Sequence, residues 1–331
     1  VRGCARVSPG CEHCYAERQA HRFSGFGQPY EGLTVLGKHG PRWTGTARFV
    51  PEMLDAPLRW SKPRRVFVNS MSDLFHEDIT NGQILRVFDV MRDARQHTFQ
   101  ILTKRPARML EWFRRWSDLT GEINDAKLVG GPEEQRKAHP SPRGQMFAEY
   151  LETLGEAPPH GCAWPTFDWM QGMRWWPTEM RLPNVHLGVS CEDQQRADER
   201  IPLLLECPAA VRFVSLEPLL GPIDFTIRGS RVEGWDEDWK YDTLRGREWA
   251  SPRDDDEPNS ARLSWAIIGS ESGPGARPMR IEWARSIVQQ CRDAGVPVFT
   301  KQIANAVDRK GGNPEHWPPG DWPREFPEPR S

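Results

Sequence analysis

Val66-Phe67-Val68-Asn69-Ser70-Met71-Ser72-Asp73-Leu74-Phe75-His76, followed by Thr80 and the stripe Ile84, Val87, Phe88, Met91 and Ala94, decides the fold. A short β-branched and aromatic run leads into a polar loop, and the loop leads into a helical pattern. Thr80 and Gln83 stand just ahead of the stripe at the spacing of a capping box. This is one strand–loop–helix unit. Five further runs match its first part: Phe99 to Thr103, Val185 to Ser190, Val211 to Ser215, Trp265 to Gly269 and Val296 to Thr300. Most lack strict alternation, as strands buried on both faces of a parallel sheet do. Ala284, Ile287, Val288 and Cys291 form a second clear helical stripe, closed by Gly295 as a C-cap. Weaker helical patterns cover 107–116 and 193–206, and Pro202 is expected to break the latter. Repeated βα units argue for an α/β barrel or an open parallel sheet.

Two stretches interrupt this rhythm. Residues 117–182 are rich in Pro, Gly and Trp, including Trp164, Trp169, Trp175 and Trp176, and read as a structured cap. Residues 229–262 read as an acidic, solvated excursion, with ten acidic against five basic side chains between 231 and 260. Loops of this length are commonly functional. We read residues 1–331 as a single domain with these two insertions.

Composition fits that reading. Hydrophobic residues are 37% and charged residues 27% of the 331, enough for a packed core. No apolar run approaches the roughly 18 residues that a membrane span needs. No signal peptide opens the chain, and Val1 stands so close to Cys4 that the N-terminus reads as trimmed. Seven cysteines, three of them in the first fourteen residues, do not suit a secreted disulfide scaffold. The expectation is a reduced, cytoplasmic protein with one cysteine-based site and four scattered cysteines (Cys162, Cys191, Cys207, Cys291). The net charge of −2 hides an asymmetry: residues 1–115 carry 19 Lys and Arg against 11 Asp and Glu, and the remainder is acidic.

Each strand run ends in polar residues: Asn69-Ser70-Met71-Ser72-Asp73, Thr103-Lys104-Arg105, Ser190-Cys191-Glu192-Asp193, Ser215-Leu216-Glu217-Pro218, Gly269-Ser270-Glu271-Ser272-Gly273 and Thr300-Lys301-Gln302. Parallel α/β folds gather their sites at these strand ends. Helix capping accounts for Asp73, Asp193 and Thr103. It does not account for Glu217, Lys104 or Lys301. The Gly269–Gly275 loop can hold an anion on backbone amides, but it has neither a Walker lysine nor a dinucleotide fingerprint.

Cys4-x6-Cys11-x2-Cys14-Tyr15 is the strongest chemical signal, with Ser8-Pro9-Gly10 turning the chain before Cys11. Three thiolates suit Zn²⁺ or an iron–sulfur cluster. Structural zinc wants a fourth ligand, for which only His13, His21 or a distant group is at hand. Three cysteines alone fit a [4Fe–4S] cluster with one open iron, which a small chelating molecule can occupy.

The clustered cysteines, the aromatic beside the last and the βα series resemble the radical S-adenosylmethionine (SAM) superfamily, whose usual spacing is C-x3-C-x2-C. The chain is more closely similar to a phage- and bacterium-borne family of radical-SAM-like proteins with a three-cysteine motif. The marks are Gly3-Cys4, Val7-Ser8-Pro9-Gly10-Cys11, Cys14-Tyr15-Ala16-Glu17, the Val66–His76 segment, Leu102-Thr103-Lys104-Arg105-Pro106, Gly188-Val189-Ser190-Cys191-Glu192, Ser215-Leu216-Glu217-Pro218 and Gly269–Gly273.

The resemblance implies an α/β fold, a partial TIM-type (β/α) barrel of about six parallel strands with two loop insertions. It implies a first strand just before the cysteine loop, and a [4Fe–4S] cluster on Cys4, Cys11 and Cys14. SAM would complete the fourth iron and be cleaved reductively, with electrons from a donor of flavodoxin or ferredoxin type. The resulting radical would abstract hydrogen from a substrate. Asn69, Ser70, Ser72 and Asp73 would receive the methionine amino group, and Ser190 and Glu192 the ribose. Glu217 with Gly269, Ser270 and Glu271 would meet the sulfonium, carboxylate or adenine. Lys104, Arg105 and Lys301 would face a carboxylate or a substrate phosphate.

The substrate expectation is a nucleic acid base, in DNA or RNA. Arg42, Arg48, Arg59, Lys62, Arg64, Arg65, Arg108, Arg114 and Arg115, with Trp43 and Trp60, offer phosphate contacts and stacking. A separately encoded protein partner is a further expectation. The alternative is a zinc-stapled barrel that binds nucleic acid or a protein without catalysis.

Overall fold

The computed structural model describes residues 1–115, 181–228, 240–248, 261–273, 275–304 and 308–327. Most of the two insertions lies outside the described residues. In chain order the elements are β1 (Arg2–Gly3), α1 (Tyr15–His21), β2 (Thr34–Gly37), β3 (Gly40–Trp43), β4 (Ala47–Arg48), β5 (Arg65–Val68), α2 (Asn81–Asp93) and β6 (Thr98–Thr103). A helix α3 covers 106–115. Then follow β7 (Val185–Ser190), α4 (Gln194–Glu206), β8 (Val211–Leu216), β9 (Thr226–Arg228), β10 (Lys240–Asp242), β11 (Arg247–Glu248), β12 (Trp265–Gly269), α5 (Ile281–Asp293) and β13 (Val298–Gln302).

All six expected runs are strands of one parallel sheet, in the order β5-β6-β7-β8-β12-β13. The sheet curls into a half-barrel, as a partial β/α barrel does. Between β8 and β12, a small antiparallel sheet β9-β10-β11 stands where the other described crossovers place a helix. On the outer face Phe99, Ile101, Leu187, Val189, Val214, Leu216, Ala266 and Ile268 pack against Phe88, Met91 and Trp112, Ile201 and Leu204, and Ile287 and Cys291. Alternation therefore sends Gln100, Leu102, His186, Gly188, Ser190, Phe213, Ser215, Trp265, Ile267, Gly269, Phe299 and Lys301 to the concave face. β7, β8 and β12 are mostly buried on both faces, whereas β6 alternates because its concave side is half-open.

Aromatic side chains fill the lower concave face. Phe213 lies 5.5 Å from Trp265, and its ring crosses Gly188, where a Cβ would stand 2.4 Å from it. The C-terminal segment runs beside β13, with the Thr300 amide donating to the Pro323 carbonyl at 2.8 Å. Phe326 then turns onto Trp265 and Phe299, 5.6 and 4.9 Å between centroids. Arg65, on the opposite edge strand, lies 3.8 Å from the centre of that same ring.

The capping box is present: the Gln83 amide donates to Thr80 Oγ1 at 3.2 Å and the Thr80 amide to Gln83 Oε1 at 3.1 Å. Thr80→Ala is expected to cost about 1 kcal/mol, read as a lower urea midpoint with an unchanged slope. Gly295 follows α5 at φ 64°, the left-handed C-terminal stop. One expectation fails. Pro202 does not break the helical pattern, because α4 runs through it from Gln194 to Glu206. Ile201, Leu204 and Leu205 around it are buried in the core, and that packing outweighs one lost backbone hydrogen bond. The segment ahead of Cys4 is only two residues of strand, paired with β4 and bridging Ser72 in the loop after β5.

Candidate functional site

The three cysteines lie along one loop above the sheet. Cys4 follows β1, a 3-10 turn spans Pro9–Cys11, and Cys14 is the N-cap of α1. All three are free thiols and half-exposed, whereas Cys191, Cys207 and Cys291 are free and buried. Burial pushes the Cys14 thiol up, and the amides of Ala16 and Glu17 act against that by favouring its thiolate. Burial pushes Cys4 to about 12 despite nearby Arg105. Behind the loop, Ala16 and Ala20 of α1 pack with Leu33 and Trp43, and Cys4 and Cys14 rest against that cluster.

Two carboxylates at strand ends clamp this loop to the sheet. Glu192, after β7, is 0% exposed and accepts from the Gly10 amide at 3.1 Å. Arg200 of α4 neutralises it at 3.2 Å and donates to the Ser190 carbonyl at 2.6 Å. A Cβ at Gly10 would stand 3.0 Å from the Glu192 carboxyl carbon, so a larger residue there would press on the carboxylate. Glu271, after β12, faces His13 Nδ1 at 2.9 Å and Arg277 Nη2 at 2.6 Å. Arg277 continues to the Pro9 carbonyl at 3.0 Å and to Glu12 at 3.1 Å. Burial raises both carboxyls, but their partners outweigh it and hold each below its ordinary range. For Glu192 these include Lys104 and Arg200, and for Glu271, Arg277 and His13. A third brace is the ion pair of Arg6 with buried Glu17, which also accepts from the Trp43 amide at 3.0 Å.

The loop after β5 is fixed from below. Asp73, 5% exposed, accepts from Thr103 Oγ1 at 2.8 Å, the Phe75 amide at 3.0 Å, the Lys104 amide at 3.1 Å and Arg105 at 3.2 Å. Arg105 also meets Glu77 at 3.0 Å and the Ala5 carbonyl at 3.5 Å. Tyr15 donates to the Ser70 carbonyl at 2.6 Å, and Ser72 Oγ to the Val1 carbonyl at 2.9 Å. Asn69 sits at φ 60° with its Nδ2 buried and unpartnered among the described residues.

A polar rim crosses the upper concave face. Lys104 Nζ donates to Ser190 Oγ at 2.5 Å, and Ser190 Oγ reaches the Glu217 carbonyl at 3.4 Å. Glu217 precedes a cis proline, and its carboxylate lies over Gly269, where a Cβ would fall 2.3 Å from Oε1. Lys301 Nζ stands 3.2 Å from both Glu217 oxygens and donates to Oε2.

The expected ring thus divides. Glu192, Glu271, Asp73 and Arg105 are buried braces, and Ser270 is one too, its Oγ accepting from the Ala304 amide at 2.6 Å. Lys104, Ser190, Glu217, Gly269 and Lys301 form the rim, while Asn69, Ser70 and Ser72 flank α1. The basic residues of the nucleic-acid expectation scatter. Arg114 and Arg115 pair with Glu206 and Glu111, and Arg108 donates to the Ile79 carbonyl. Arg59, Lys62, Arg64 and Arg65 lie at the start of β5, the end of the sheet away from the cysteines. Trp43 is buried, and Trp60 is covered by Arg64 at 4.7 Å and His97 at 5.5 Å. Sequence reading passed over Arg200, Arg277 and Arg6, and gave Glu17 no role beyond its place in the Cys14–Glu17 motif. Only Arg200 had a local signal, two helical turns after Glu192.

Among the described residues, no three His, Cys, Asp or Glu side chains close on a single metal-ion position. His13 is turned to Glu271, and His21 to Thr34 and Ser24. Cys4, Cys11 and Cys14 thus share the loop without converging on one point, and neither histidine is turned to them; free thiols of this kind are ligands for zinc and for iron–sulfur clusters alike. No helix among the described residues is long and apolar enough to cross a membrane. Residues 1–314 match the model of a family described as Protein of unknown function (DUF5131). No curated protein and no solved structure matches the chain.

Proposed function

The chain belongs to the DUF5131 family, and from the geometry of its site we propose that it is a radical SAM enzyme. The observation that carries this reading is the pair of buried carboxylates, Glu192 and Glu271, that hold a loop of three free thiols over the strand ends of a half-barrel. Cys4, Cys11 and Cys14 would hold a [4Fe–4S] cluster. Such a cluster, reduced by a flavodoxin- or ferredoxin-type donor, supplies the electron that splits SAM to methionine and a carbon radical able to take hydrogen from a substrate.

The protein's own part is binding and orientation. Lys301 and Lys104 offer cations for the SAM carboxylate, and the Glu217 carboxylate an anion for its amino or sulfonium group. The free Asn69 Nδ2 supplies a further donor beside α1. Glu192 and Glu271 touch no ligand in this scheme. They hold Gly10 and His13, and through them the spacing of the thiols. Protein purified without oxygen should be brown, carry about four irons per chain and, once reduced by dithionite, release 5′-deoxyadenosine from SAM. A colourless protein with one zinc would overturn the proposal in favour of a zinc-stapled binding barrel.

A further inference from the structure

The layer behind the cysteine loop carries charge and apolar surface that the proposed chemistry does not use. Residues 18–48 hold five Lys and Arg (Arg18, Arg22, Lys38, Arg42, Arg48) against one acidic residue, Glu31. Arginines that brace the site are neutralised: Arg6, Arg105, Arg200 and Arg277 all face carboxylates. Among the described residues none of the five cations of this layer has a carboxylate partner, and the exposed Glu31 accepts from the Gly27 amide at 2.8 Å. The layer also exposes apolar side chains. Phe26, between Gly25 and Gly27 on a loop tip, is 97% exposed, and Phe23 is 45% exposed. Val35 and Leu36 are 51% and 73% exposed although they are consecutive in β2. Consecutive strand residues point to opposite faces, so beyond its buried base at Thr34 and Trp43 the β2–β3 ribbon is bare on both faces at Val35 and Leu36.

We propose that this layer is a docking surface for a nucleic acid strand, gripped at its phosphates by Arg22, Lys38 and Arg42 and stacked on Phe26. Unneutralised cations beside an aromatic ring presented on a tight loop are the elements by which single strands are held. An acidic protein surface would use the cations but leaves a lone projecting ring without a base to stack on. Leu33 and Trp43 of the same layer pack against Cys4 and Cys14, so a strand bound here lies next to the candidate centre. Only in making that strand the substrate does the inference rest on the radical SAM reading. The binding itself does not need a cluster.

The test is fluorescence anisotropy of a labelled single-stranded DNA with the full chain, across a salt series, with iron content and SAM cleavage measured on the same samples. Binding should weaken steeply with salt. Phe26→Ala should weaken it about tenfold. The triple variant Arg22→Ala, Lys38→Ala, Arg42→Ala should reduce the slope of log affinity against log salt by about two. All three positions and Phe26 are exposed, so folding, iron content and SAM cleavage should be unchanged in the variants. No binding at low salt, or binding indifferent to both variants, would overturn the surface. Equal competition by poly-glutamate would assign it to acidic proteins instead and also overturn it. Loss of iron or of SAM cleavage in the unaltered protein would count against the radical reading alone.

Discussion

Cys11→Ala and Cys14→Ala proteins should emerge from anaerobic purification colourless, without iron and without SAM cleavage, while Cys191→Ala stays brown. The contrast follows from where the thiols stand. Cys11 and Cys14 are half-exposed on the loop above the strand ends, and Cys191 is fully buried. Among the described residues neither His13 nor His21 is turned toward the three thiols, so neither stands as a spare ligand to compensate for one lost. Cys191 is a small apolar core residue, and its removal costs packing rather than iron. Metal analysis and absorbance of the three variants, prepared side by side, check this. Retained iron in Cys11→Ala or Cys14→Ala would remove those residues from the ligand set.

The second large effect is at a carboxylate rather than a thiol. Glu192→Ala should lower unfolding free energy by about 3–5 kcal/mol, because it leaves the Arg200 guanidinium buried and unpaired. It should also free the Gly10 amide, so that protease cuts the cysteine loop of the metal-free protein faster. The double variant Glu192→Leu, Arg200→Leu separates the two effects. Removing both charges should recover much of the stability, yet the loop has still lost its acceptor and should stay protease-sensitive. Urea unfolding and limited proteolysis report the two quantities independently. If the double variant regains both stability and protection, Glu192 does not anchor the loop.

The strands and helices were legible because local signals were strong. β-branched runs marked all six sheet strands, Thr80 and Gln83 marked the start of α2, and Gly295 the end of α5. Pro202 misled because helix propensity says nothing of the apolar residues that hold α4 onto the sheet. At the site, residue types were legible but their duties were not. The resemblance made Glu192, Glu271 and Asp73 ligand contacts, although Asp73 also reads as a helix cap. Their actual partners, Gly10, His13 and Arg105, lie 182, 258 and 32 residues away in the chain. No spacing rule reaches across such separations. The same holds for Trp43, whose burial under α1 no local pattern announces.

The tail after residue 314 lies beyond the family match, yet it is built into the sheet. Residues 323–326 cover the outer edge of β13, and Phe326 covers Trp265 and Phe299 while reaching Arg65 on the other edge. A sheet that does not close into a full barrel has two raw edges, and a bare edge strand recruits other chains. A protein cut back to the family boundary would keep the cysteine loop and the polar rim but lay open one edge and an aromatic cluster beside it. Removal of residues 315–331 should therefore raise the apparent mass in size-exclusion chromatography, whereas a chain that runs through Phe326 should elute as the full one does.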